Sequence, residues 1–165
     1  MNNVQEIQEI LEFTAAQTAM VAFQSGEAQF IIDSKENSFD VYMKTEKGTF
    51  HGFSEPSPRI IAETILEQNQ KVELVSFGEK NKVRESVDQL EPKIEALSSE
   101  SSAIAIQNGK SQYWIQRNVE EHVFDVYVKS EYGGFSGFSH ASAQSVAEII
   151  NEMSKEPIKA FSFEK

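Results

Sequence analysis

Histidine is the side chain best suited to general acid–base work near neutral pH, and the chain carries three, His51, His122 and His140. When the two halves of the chain are aligned as described below, these residues fall opposite Ser136, Asn37 and Glu55, so no histidine stands in both halves. They read as loop or solvent-facing residues, and no catalytic residue is assigned. Glu120, Glu121 and His122 supply oxygen and nitrogen donors, but adjacent side chains in an extended segment point apart and a metal needs at least three convergent groups. No metal site and no cofactor are expected.

Gly52–Phe53–Ser54 recurs as Gly137–Phe138–Ser139 ahead of a helix start, which invites comparison with glycine-rich phosphate loops. The basic residue that such loops place beside the phosphate is missing. The glycine is expected where strand turns into helix, with the phenylalanine filling the core. Cysteine is absent. That removes disulfides, thiolate–zinc sites and thiol nucleophiles, and it suits a reducing compartment.

The polar set with the most pattern to it is Asp40, Tyr42 and Lys44, which returns as Asp125, Tyr127 and Lys129. Strand alternation puts each triplet on the face opposite Phe39, Val41 and Met43, or Phe124, Val126 and Val128. A tyrosine flanked by charges suits a protein interface, so these six residues are the candidate partner-binding stripe. Two plainer outcomes compete with it: a solvated cross-strand cluster, and a core stripe covered on both faces.

The elements that must position these residues come from an internal repeat. Phe39–Glu67 matches Phe124–Glu152 at a constant offset of 85, with 16 of 29 positions identical and no gap. Chance would give roughly two at a residue frequency near 1 in 15. Upstream, Met20–Phe30 matches Ala103–Tyr113 at an offset of 83, so two residues must be absorbed between Asp33 and Phe39, where a loop is expected to take them. The units run over residues 1–80 and 81–165.

Each unit opens with an amphipathic helix, through Val4, Ile7 and Leu11 in the first and through Val83, Val87, Leu90, Ile94 and Leu97 in the second. Pro92 should kink or restart the second helix. Ser25–Gly26 and Asn108–Gly109 mark tight hairpins. Third strands follow at Ser38–Lys44 and Val123–Lys129, and fourth strands near Phe50–Phe53. Ser57 before Pro58, and Ser142 in the second unit, read as helix N-caps, and Val72–Phe77 and Ile158–Phe163 close the units as strands. The expected fold is α+β, a tandem duplication of an α-β-β-β-β-α-β unit with a mainly antiparallel sheet, helices packed on one face and a pseudo-twofold arrangement.

Fifteen Lys and Arg against 26 Asp and Glu leave a net charge of −11. That surplus repels nucleic-acid phosphates and anionic lipid at long range and favours a basic partner. The opening MNNVQEIQEILEF has neither the long apolar run of a membrane span nor the pattern of a signal peptide, so a cytoplasmic location is expected. The functional expectation is a non-catalytic inhibitor, immunity-type or other regulatory protein that engages a basic protein partner through an acidic, aromatic-bearing surface. The alternatives are a small-molecule-binding or enzymatic domain with its pocket between the repeats, and a structural subunit.

Overall fold

A computed structural model describes residues 3–16, 19–79, 83–86, 90–98, 103–108, 110–153 and 159–163. The chain separates into two compact units, Met1–Lys80 and Asn81–Lys165. Both are α+β with antiparallel sheets.

The first unit runs α1 (Val4–Ala16), β1 (Ala19–Ser25), β2 (Ala28–Ser34), β3 (Phe39–Lys44), β4 (Phe50–Glu55), α2 (Pro58–Gln68) and β5 (Val72–Glu79). Its five strands lie in the order β4-β3-β2-β1-β5. Helix α1 starts where the Asn3 side chain accepts the Glu6 amide at 2.9 Å, relieving one of the first-turn donors that no helix can satisfy internally. Ser57 caps α2 in the same way, its hydroxyl accepting from Ile60 N at 3.3 Å, with Pro58 at the first helical position where a missing N–H is harmless.

Ile7, Leu11, Ile61 and Ile65 project from the two helices onto Val21, Phe23, Phe30, Ile32 and Val41, forming a core from which water is excluded. Burying each such side chain stabilises the fold by about 1.5–3 kcal/mol. The β1–β2 turn is Gly26–Glu27. Gly26 takes φ +62, and a Cβ there would run into the Asn69 side chain. The turn is tied to the end of α2 by Gly26 N donating to Lys71 O at 3.0 Å and the Ser25 hydroxyl donating to Ile65 O at 2.9 Å.

The second unit runs β6 (Val83–Ser86), α3 (Leu90–Glu95) with a 3₁₀ turn Ala96–Ser98, β7 (Ala103–Asn108), β8 (Ser111–Asn118), β9 (Val123–Lys129), β10 (Phe135–His140), α4 (Ala143–Met153) and β11 (Lys159–Phe163). Its sheet has the order β10-β9-β8-β7-β11-β6. Ile94, Leu97, Val146 and Ile150 pack on Ile104, Ile106, Tyr113, Ile115, Val126 and Val128. The registers of the middle strands correspond between units: Met20, Asp33, Asp40 and Ser54 lie in one row of the first sheet, and Ala103, Gln116, Asp125 and Ser139 in one row of the second.

Four expectations are corrected. Val83 does not open a helix: Val83–Ser86 is a strand paired with β11, and the helix begins only at Leu90. Val87 lies outside the described residues. Starting at Leu90 places Pro92 in the first turn, where its missing N–H breaks no bond, so no kink is needed. The two extra residues between Gln116 and Phe124 do not lengthen a loop. They add one rung, Asn118 opposite Val123, and four residues connect the strands in both units.

Last, Gly52 and Gly137 lie inside β4 and β10, opposite Tyr42 and Tyr127, rather than at a junction of strand and helix. A glycine there leaves no side chain to compete with the neighbouring ring. The Asn108–Gly109 turn falls partly outside the described residues.

Candidate functional site

The candidate stripe does not face solvent. Asp40, Tyr42, Lys44, Asp125 and Tyr127 are buried and Lys129 is half-buried. The reason lies on the neighbouring strands: Ala22 and Ile31 share the row of Tyr42, and Ala105 and Trp114 share the row of Tyr127, all of them buried. Each tyrosine thus stands in a largely apolar row, and both faces of β3 and β9 are buried.

Buried polar groups are tolerated when they are bonded, and here the bonds are internal. The Ser54 hydroxyl donates to Asp40 Oδ1 at 2.7 Å, and the Ser139 hydroxyl donates to Asp125 Oδ1 at 2.5 Å. In the first unit Asp33 stands directly across from Asp40, and Lys35 Nζ lies 3.0 Å from Asp33 Oδ2 and 3.6 Å from Asp40 Oδ2. At the offset of 83 the second unit has Gln116 in place of Asp33 and Asn118 in place of Lys35. Gln116 stands across from Asp125, and its Oε1 accepts the Trp114 indole N–H at 3.3 Å. Asn118 Nδ2 donates to Asp125 Oδ2 at 3.4 Å.

Two carboxylates and an ammonium have thus exchanged for one carboxylate and two amides. The formal charge of the cluster is −1 either way.

The tyrosines are held protonated. Burial raises the Tyr42 phenol far above its ordinary value, and the charges of Asp33 and Asp40 push it further. Burial first and Asp125 second do the same to Tyr127. A phenol that keeps its proton at every physiological pH is a hydrogen-bond donor rather than a general base. One rung along, Lys44 Nζ sits 5.4 Å from the centre of the Phe50 ring and Lys129 Nζ 5.4 Å from that of Phe135, matching cation–π pairs between strand neighbours.

The remaining candidates stay apart. His51 and His122 are exposed, His122 at φ 57 in the β8–β9 turn. Exposed His140 uses Nδ1 to accept Ser142 N at 3.1 Å at the start of α4. Glu120 and Glu121 are exposed with His122, and among the described residues no three His, Asp or Glu side chains converge as metal ligands.

One feature escaped sequence reasoning. Glu91, Glu95, Arg117, Phe124 and the start of α4 line an open surface cleft of about 420 Å3 within the second unit. The repeat drew attention to what the halves share, whereas two of the three charges here are not shared: Gln8 and Ser34 occupy the places of Glu91 and Arg117, and only Glu95 has a charged counterpart, Glu12. No family model, no curated protein and no solved structure matches the chain.

Proposed function

We propose that the protein is a non-catalytic binding or regulatory protein that engages a basic protein partner through the outward face of α1. The observation that carries this reading is the two-sidedness of that helix. Ile7 and Leu11 are fully buried, while Glu6, Glu9 and Glu12 are exposed around Phe13, which is 55% exposed. Glu9 and Glu12 are oriented by Gln5 and Gln8, whose amides donate to them at 3.1 and 3.0 Å. An aromatic anchor ringed by carboxylates matches a partner that offers an apolar pocket among Lys and Arg. The net charge of −11 supports the same preference by speeding encounter with cationic proteins.

In this reading the Asp40, Tyr42, Lys44 and Asp125, Tyr127, Lys129 rows act from inside, holding the sheets that carry the surface. No helix among the described residues is long and apolar enough to cross a membrane.

The test is capture from the native host with the full chain as bait, identification by mass spectrometry, and repetition with two variants. Replacing Glu6, Glu9 and Glu12 together by Gln should slow association with the captured protein at least tenfold at low salt and remove most of its salt dependence. Phe13→Ser should speed dissociation by a similar factor. A captured protein that is acidic, or one whose affinity neither variant changes, would sink the proposal.

A further inference from the structure

The cleft of the second unit carries a chemistry different from that of the outward face of α1. Arg117 projects from β8 with its guanidinium carbon 4.6 Å from the centre of the Phe124 ring, its cross-strand neighbour. That stacking fixes the guanidinium plane while leaving its edge N–H groups available. Glu91 and Glu95 stand one turn apart on α3, and Ala143 and Gln144 begin α4 at the rim.

Although the guanidinium and both carboxylates line the same cleft, no ion pair joins them, and neither glutamate makes a hydrogen bond among the described residues. Opposite charges that share a small space without meeting leave room for something between them. A simple anion there meets two carboxylates, and a simple cation meets the guanidinium. A molecule carrying both charges satisfies both walls, and 420 Å3 is within the range of small-molecule sites, about 300–1,000 Å3.

We propose that this cleft binds a small zwitterion of the amino-acid type, its carboxylate on Arg117 and its ammonium on Glu91 and Glu95. The start of α4, also in the lining, adds the partial positive charge of a helix N-terminus. The first unit serves as an internal control. Its framework is similar, but Gln8, Ser34, Pro58 and Arg59 stand at the places of Glu91, Arg117, Ala143 and Gln144, and Pro58 has no N–H to offer. A site in the second unit alone is therefore expected, with a stoichiometry of one.

The experiment is titration of the intact chain with each of the twenty L-amino acids up to 10 mM (~2.7 kcal/mol of binding free energy at half-saturation), followed by amide NMR. At least one is expected to shift signals of residues near Arg117 and Phe124 with a single saturable site. N-acetylating its amine or amidating its carboxyl should each weaken binding at least tenfold. Arg117→Gln and the double variant Glu91→Gln with Glu95→Gln should do likewise, and Arg59→Gln at the matching place in the first unit should change nothing. Should Arg117→Gln disturb folding, the glutamate pair on α3 gives the decision by itself. No saturable shift with any amino acid overturns the proposal, as does equal binding of the acetylated or amidated form, or equal displacement by acetate. None of these substitutions touches α1, so failure here leaves the partner-binding test standing.

Discussion

Lys35 offers the sharpest test of how the two units hold charge inside. It touches two buried carboxylates that face each other across β2 and β3, each about 2% exposed. Replacing Lys35 by Asn, the residue of the second unit, leaves Asp33 and Asp40 as an uncompensated pair. Groups directly across an antiparallel ladder are about 5 Å apart, so at an effective dielectric near 20 their repulsion is about 3 kcal/mol. Breaking a buried ion pair typically costs about 3–5 kcal/mol. The Lys35 side chain is 28% exposed, and water already weakens its hold, so the expected loss is about 3 kcal/mol, at the lower end.

Asp33→Gln alone should cost about 1 kcal/mol, because Lys35 still faces Asp40. The double variant reproduces the second unit's set and its formal charge of −1, and it should return to within about 1 kcal/mol of the parent. The assay is urea unfolding of all four proteins. With a slope of about 1 kcal/mol per molar for a unit this small, Lys35→Asn should lower the first unit's midpoint by roughly 2 to 3 M. A coupling free energy of at least about 2 kcal/mol is required. If Lys35→Asn loses less than about 1 kcal/mol, or if the two single losses add in the double variant, charge exchange is not what relates the clusters.

Alkaline pH should act through the tyrosines. Because burial raises the folded-state values of Tyr42 and Tyr127 above the ordinary value near 10, their contribution is intact below pH 10 and is lost as pH rises beyond it. Each should cost its unit about 1.4 kcal/mol per pH unit, with the phenolate absorbance of Tyr42 and Tyr127 appearing only on unfolding; ionisation of either in the native protein would contradict this. Gly26→Ala should destabilise the first unit by about 1–2 kcal/mol from backbone strain at φ +62, and Asn69→Ala should recover part of the remaining clash in urea titrations. Phe39→Ala and Phe124→Ala should each cost about 3–5 kcal/mol, against less than about 0.5 kcal/mol at Tyr132, which is 91% exposed; equal losses would misplace the core.

The elements that sequence reading located best are those whose signals are local. Ser57–Pro58 sets the start of α2 because a cap and a fixed φ act within one turn, and the alternation of Phe39–Lys44 sorts its side chains between two faces without help from elsewhere. Val83–Ser86 was misread for the opposite reason. Val83, Val87 and Leu90 keep a helical spacing, but four residues beside a free sheet edge gain more from pairing with β11 than from extending a six-residue helix that is itself marginal in length. Periodicity within a segment does not reveal which edge the segment will meet.

The candidate stripe failed on the same kind of information. Asp40, Tyr42 and Lys44 look like a polar face when β3 is read alone, and only the register across four strands shows Tyr42 in a row with Ala22, Ile31 and Gly52. A face is apolar or polar as a sum over strands, so an Asp on one strand is compatible with burial when Ser54, Lys35 or Asn118 arrives from another. Gln116 and Asn118 could have signalled this in advance. Read against Asp33 and Lys35, they change together in a way that keeps the charge constant, and a solvent-exposed pair would have had no electrostatic reason to do so. Arg117 opposite Ser34 and Glu91 opposite Gln8 also keep the summed charge, but as two opposite charges that form no ion pair with each other, and packing does not account for them. Their meeting in one cleft is what sets the second unit apart as the place to look for a ligand.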